Sequence, residues 1–244
     1  MDTKQTIFRC HKLLMSGYTK MALNYDLKFD EPIPLGAKIL VANHPTTTDP
    51  FLLPLLLNDP ISILVTGVAF EVPVFGRIAL AAGHIPVPDA ADQRGQIIPS
   101  AVEQLKMGHA VGIFPEGHLS PEIGQFCPPR TGAARIALLS GAPVIPVGIA
   151  LNKDGYFSTS YKAPGRWAWK GQYFVTVGSP MSFSGDGDDR ARVRSVTEQI
   201  MSVIIQLAGV SASRMNAKTI HLPQTTTPIS LTQKPIEHSF WSES

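Results

Sequence analysis

Apolar runs four to eight residues long recur along the chain, and each one ends on polar or turn-forming residues. The runs Ile39-Leu40-Val41-Ala42 and Ala110-Val111-Gly112-Ile113 have no polar alternation, the pattern of strands buried on both faces. Similar runs predict strands over 39–43, 61–66, 84–88, 110–114, 143–150 and 172–178. Between them the apolar spacing turns helical, over 47–57, 74–82, 97–107, 132–140 and 189–208, with Gly108 and Gly141 as C-terminal stops. Strand and helix alternate, so the expected class is α/β: a single domain with a mostly parallel or mixed central sheet flanked by helices. Residues 4–23 put Ile7, Leu14, Tyr18 and Met21 at helical spacing among Lys4, Arg9, Lys12 and Lys20. This predicts an N-terminal amphipathic helical segment within 1–30, ahead of a domain over 31–210. Its apolar side either lies in a lipid headgroup layer or packs on the chain's own core. From 211 to 244 the Ser, Thr, Gln and Pro content reads as a loose tail.

The chemistry sits where the strands end. Directly after the run at 39–42 comes Asn43-His44-Pro45-Thr46-Thr47-Thr48-Asp49-Pro50. A lone imidazole titrates near 6.5 and has two neutral tautomers; a carboxylate on one ring nitrogen selects the tautomer and strengthens the other nitrogen as a base. On one regular helix, residues five apart lie about 140° round the axis. His44 and Asp49 therefore meet only if His44 precedes the helix and Asp49 falls in its first turn. Pro45 suits such a first turn, the hydroxyls of Thr46 and Thr47 can cap free amides at the helix start, and backbone amides near 45–48 or at Gly117 are candidates for an oxyanion site. The other reading of the pair is that Asp49 complements the helix dipole while His44 satisfies a backbone group. A second polar motif, Phe114-Pro115-Glu116-Gly117, follows the run at 110–113. If both strands are parallel neighbours, His44 and Glu116 emerge at the same carboxyl edge, the place where open α/β sheets bind ligands.

These motifs, with Pro73-Val74-Phe75-Gly76-Arg77 and Gly83, Arg130-Thr131-Gly132-Ala133-Ala134-Arg135-Ile136-Ala137 and Pro143-Val144-Ile145-Pro146-Val147, come in the order seen in the glycerolipid acyltransferase superfamily. Over roughly residues 36–180 the chain resembles the 1-acyl-glycerol-3-phosphate acyltransferases. The resemblance implies an O-acyltransferase that moves an acyl group from acyl-coenzyme A or acyl carrier protein to a hydroxyl of a lysophospholipid-like or other lipid acceptor. His44 would take the hydroxyl proton, Asp49 would orient it, and Glu116 and Gly117 would bind the acceptor; His118, two residues beyond Glu116, and Arg130 are further acceptor-binding candidates of this chain. There is no Gly-x-Ser-x-Gly elbow, in keeping with an acceptor that is itself the nucleophile.

Departures from the pattern bear on the acceptor. Relatives that act on phosphate-bearing acceptors carry a lysine and an arginine where this chain has Thr66 and Asp89, and their Glu-Gly-Thr-Arg block is Glu116-Gly117-His118-Leu119 here. Phosphate recognition leans on Arg and Lys, so the expected acceptor shifts towards a masked phosphate, an amino-acid lipid or another lipid alcohol. Arg77, Arg94 and Arg130 remain, either as compensating cations or as solvated surface charges.

Composition adds limits. With 244 residues, 44% of them hydrophobic, the chain can bury a sizeable core. A net charge of +2, with no basic run interleaved with aromatics, points away from nucleic acid. Cys10 and Cys127 stand alone and the histidines show no ligand grouping, so no metal and no bound cofactor are expected. No apolar stretch reaches about 18 residues, and no cleavable leader pattern is present; the expectation is a cytoplasmic protein, peripheral on the inner face of the membrane. Two other functions fit the same residues: a thioesterase or ester hydrolase using the same base, and a non-catalytic lipid-binding module. Finally, 153–171 reads as an extended excursion near the site, in which Trp167 and Trp169 contact lipid or simply pack.

Overall fold

Strand β2, Lys38–Ala42, is completely buried and organises the molecule. Its side chains alternate between two cores. Leu40 and Ala42 join Leu52, Leu53 and Leu56 on one face of the sheet; Ile39 and Val41 join Ala101, Leu105, Ile136 and Ile204 on the other. A strand of period two with apolar residues at every position can be satisfied only between two layers. The computed structural model describes residues 3–88, 95–152, 156–159, 165–168 and 170–220.

Seven strands form the main sheet: β1 (Leu23–Phe29), β2, β3 (Ile61–Thr66), β4 (Ile85–Val87), β5 (Ala110–Ile113), β6 (Val144–Leu151) and β9 (Gly171–Val177), in the order β1-β9-β6-β2-β5-β3-β4. All neighbours are parallel except β6 and β9, so the sheet is mixed. A separate antiparallel hairpin is made by β7 (Tyr156–Thr159) and β8 (Gly165–Ala168). One face carries α1 (Thr3–Ala22) and the short turn α2 (Asp49–Leu52), which continues as a 3-10 turn through Leu56; the other carries α5 (Ile97–Lys106), α6 (Gly132–Ser140) and α7 (Arg190–Ile220). Two short helices, α3 (Gly67–Phe70) and α4 (Phe75–Ala81), follow β3. This is the flanked α/β sheet that the alternation of patterns predicts.

Three elements differ from the sequence reading. Residues 23–29, expected within the N-terminal helical segment, form β1 and pair with β9 at the sheet edge. The last helix runs to Ile220 rather than stopping at 208, so residues 211–220 are helical. Ser211 is buried and donates to the Gly148 carbonyl at 2.9 Å, and Arg214 pairs with Asp26 of β1, so polar residues that read as tail are held by the sheet. Residues 221–244 lie outside the described residues.

The helix α1 also sits differently. Phe8 is buried, Lys12 donates to the Leu57 carbonyl, His11 bonds the Phe51 carbonyl at 2.8 Å, and Lys4 reaches Ser62 and Gln104 at 3.0 and 2.7 Å. Lys4, His11 and Lys12 thus turn inward while Arg9 and Lys20 stay exposed, and Leu13, Leu14 and Met21 are left 75%, 67% and 90% exposed. Among the described residues no helix is long and apolar enough to cross a membrane.

Candidate active site

Because β2 and β5 are parallel neighbours, Asn43-His44 and Phe114-Glu116 leave the sheet at one edge. Asn43 closes the end of β2 against β6: its side chain donates to the Ile149 carbonyl at 3.0 Å and accepts the Ile149 amide at 2.7 Å. His44 follows, stacked on Phe114 with ring centroids 4.1 Å apart. Its Nδ1 lies 2.9 Å from Oδ2 of Asp49. The His44 side chain is 15% exposed and Asp49 is fully enclosed. A carboxylate only accepts, so Nδ1 carries the proton in this pair and the lone pair of neutral His44 is on Nε2. The predicted contact is therefore made, with His44 ahead of α2 and Asp49 at its first residue.

Asp49 takes more donors than the sequence suggested. The Thr46 amide reaches Oδ2 at 2.8 Å, while the hydroxyls of Thr46 and Tyr173 reach Oδ1 at 2.5 and 2.6 Å. The threonines do not cap the helix as expected. Thr47 and Thr48 instead tie the loop to β8: Thr47 exchanges hydrogen bonds with Arg166, and the Thr48 hydroxyl accepts from the Ala168 amide. The first-turn proline is Pro50, not Pro45. The amides of Thr46, Thr47 and Gly117 already donate to Asp49, to the Arg166 carbonyl and to the Phe114 carbonyl, so none of the three is free to serve an oxyanion.

Glu116 comes to the site but faces inward. It is 1% exposed. One oxygen accepts the His44 amide at 2.9 Å, the other the Cys127 amide at 2.7 Å, and the Ser120 hydroxyl lies 3.0 Å from both. Ser120 also donates its amide to the His44 carbonyl at 2.8 Å. Contact with an acceptor, the role implied for Glu116 by resemblance, is thus not what this carboxylate makes here: a buried anion needs several donors, and its own chain supplies them. Gly117, at φ +73°, lets Arg130 lie against its Cα; a Cβ there would stand 2.5 Å from the Arg130 Nε. His118 and Arg130 are exposed at this rim, and the Arg130 guanidinium has no hydrogen-bonded partner among the described residues.

Two residues at the site had no signal in the sequence. Arg166 donates to the Pro45 carbonyl at 2.7 Å and to the Pro121 carbonyl at 3.0 Å, bridging the histidine loop and the loop after Glu116. Tyr173 reaches Asp49 from β9. Burial first, and then the charge of Asp49, push the phenols of Tyr173 and Tyr25 well above their ordinary value, so both stay protonated. Of the excursion aromatics, Trp167 packs at 6.0 Å from the Phe51 ring. Trp169 lies outside the described residues, as do Asp89 and Arg94. Thr66 is exposed at the end of β3, and Leu119 is half-buried. Among the described residues no three His, Cys, Asp or Glu side chains converge as metal ligands would.

The Acyltransferase family model matches residues 25–150, a little over half the chain, including His44, Asp49, Glu116 and Gly117 but not Arg166 or Tyr173. The chain belongs to the Acyltransferase family. Within it, the chloroplastic 1-acyl-sn-glycerol-3-phosphate acyltransferase BAT2 of Brassica napus is 33% identical over 111 residues, covering 45% of this chain. The chain spans 31% of that relative's length. The fold of the 1-acyl-sn-glycerophosphate (LPA) acyltransferase PlsC from Thermotoga maritima is similar at a TM-score of 0.56 and 22% identity, over 82% of this chain and 79% of that one. The Glu116-Gly117-His118-Leu119 block of this chain has its glutamate turned into the fold.

Proposed function

We propose that the chain transfers an acyl group from a thioester, acyl-coenzyme A or acyl carrier protein, to the hydroxyl of a lysophospholipid-like or other lipid acceptor. One observation carries this reading: His44 shares its Nδ1 proton with a buried Asp49 and keeps Nε2 for a substrate. In the forward step Nε2 takes the acceptor's hydroxyl proton as the oxygen forms a bond to the thioester carbonyl carbon. The resulting imidazolium is stabilised by Asp49. Collapse of the tetrahedral intermediate breaks the C–S bond, and the departing thiolate recovers the proton from Nε2, leaving an ester, a thiol and neutral His44. No acyl-enzyme is required. Gly117, His118 and Arg130 are the acceptor side of the site, with Arg130 as the cation for an anionic headgroup; Glu116 supports them from within.

A lipid acceptor calls for contact with a bilayer. The side chains suited to that are Leu13, Leu14 and Met21 of α1, joined by Val72, Val74, Ile78 and Leu80 around α3 and α4, all exposed. Val74 is held at φ +68°, a costly backbone for a β-branched residue, with its apolar side chain outward. We place the protein peripherally on the face of the membrane where thioester donors circulate, with these residues in the headgroup layer.

The experiment is mass spectrometry of lipids after incubating purified protein with labelled acyl-coenzyme A and a mixed lysolipid extract. Acylated lipid is expected, together with its loss in a folded His44→Ala variant. Free fatty acid alone would assign the base to hydrolysis, and retained turnover in His44→Ala would end the mechanism.

A further inference from the structure

Asp49 is held on both oxygens, and most of what holds it is local. The Thr46 amide and hydroxyl belong to the same turn as Asp49 and move with it. Tyr173 does not. It is carried by β9, which pairs with β6, which pairs in turn with β2, so its hydroxyl references the turn to the body of the sheet. A carboxylate tied only within its own turn is free to swing with that turn. Tied also to β9, its Oδ1 is fixed and Oδ2 is left aimed at His44.

We propose that Tyr173 is a positioning residue for acyl transfer, its hydroxyl fixing Asp49 in the orientation that presents Oδ2 to His44; the role rests on His44 and Asp49 acting as the base pair. Tyr173 is 1% exposed and packs on Tyr25 with ring centroids 5.7 Å apart, so it meets no substrate and acts only through Asp49. A buried phenol beside an enclosed carboxylate remains a donor across the working pH range. The space around it is lined by Leu52, Leu53, Leu56, Val147, Ile149 and Val175, with Tyr25 beside it, and the Tyr173 hydroxyl donates to Asp49 at 2.6 Å.

Tyr173→Phe keeps the ring and removes only the oxygen. With oleoyl-coenzyme A varied against a fixed mixed lysolipid extract, kcat should fall between about 10- and 100-fold, the range for a misplaced catalytic group, with KM for oleoyl-coenzyme A unchanged. The acid limb of kcat/KM should move to higher pH, because Asp49 with one donor fewer holds the imidazolium more strongly. In an Asp49→Asn background the same change should cost nothing further. A purely structural role would lower the thermal midpoint and leave the limb in place. Full kcat in Tyr173→Phe, an unmoved limb, or an undiminished effect beside Asp49→Asn overturns the proposal. Should Tyr173→Phe not fold, Tyr173→3-fluorotyrosine, a stronger donor of the same shape, must move the limb to lower pH; an unmoved limb again refutes it. A His44→Ala enzyme that still turns over sinks the base pair itself, whereas an active Tyr173→Phe beside an inactive His44→Ala sinks the positioning role alone.

Discussion

Glu116→Gln separates two roles for the same residue. The carboxylate accepts the His44 amide, the Cys127 amide and the Ser120 hydroxyl. Glutamine keeps one carbonyl oxygen, and the Ser120 hydroxyl can rotate to suit. The new NH2 group, however, must face one of two fixed backbone N–H donors. One hydrogen bond to a charged group is lost, and two donors are left opposed in a dry site, a change on the order of 2–4 kcal/mol. For a domain of this length that is a fall of roughly 4–16 °C in thermal midpoint. Since the His44 amide is one of the two donors at stake, the imidazole shifts with it, so kcat should drop while KM for the acceptor holds. Thermal unfolding together with steady-state kinetics at varied acceptor reads both quantities. A raised acceptor KM with an unchanged midpoint would show Glu116 reaching the acceptor after all, and the inward bracket would be refuted.

Other outcomes follow from single contacts. Gly117→Ala sets a Cβ against Arg130 and forces a side chain into left-handed backbone; about 1–2 kcal/mol of stability should go, and acceptor KM should rise as Arg130 is displaced, read by the same kinetics. His84 is pushed down to about 4, first by burial and then by the nearby His11 and Lys4, and its Nδ1 accepts the Ile63 amide at 3.2 Å. The unfolded chain takes up that proton first. Stability should therefore be full above about pH 6.5 and decline towards pH 4, with about 2 kcal/mol lost at pH 5; denaturant titrations at pH 7 and 5 check this, and His84→Gln should flatten the difference. Leu13→Ser with Leu14→Ser should weaken sedimentation with phosphatidylglycerol-containing vesicles at least tenfold without moving the thermal midpoint, because neither side chain is packed.

The buried strands were legible because they are apolar at nearly every position; the His44–Asp49 contact was legible as one of two readings, since the same spacing also suits an aspartate at a helix start with no histidine partner. Strand β1 was not. Leu23–Phe29 mixes Asn, Asp and Lys with its apolar residues, and as an edge strand it is buried fully only at Leu23. Residues 211–220 read as tail since Ser and Arg carry no helical stripe; their partners, Gly148 and Asp26, are supplied by the sheet. Tyr173 was equally silent, being 124 positions from Asp49. The direction of Glu116 could not be read from its motif either, because the spacing that brings a carboxylate to a strand end is the same whether it faces a ligand or the backbone behind it.

The hydrogen bonds between Arg166 and the histidine loop bear on the order in which this site is assembled. The base pair is synthesised ahead of the groups that fix it, which arrive with Glu116, Ile149, β8 and Tyr173. A nascent chain that has not yet delivered its ninth strand holds an imidazole and a carboxylate in an unbraced turn. The bracing of the pair is therefore a late event in synthesis, completed only when the far strands close over a loop made long before them.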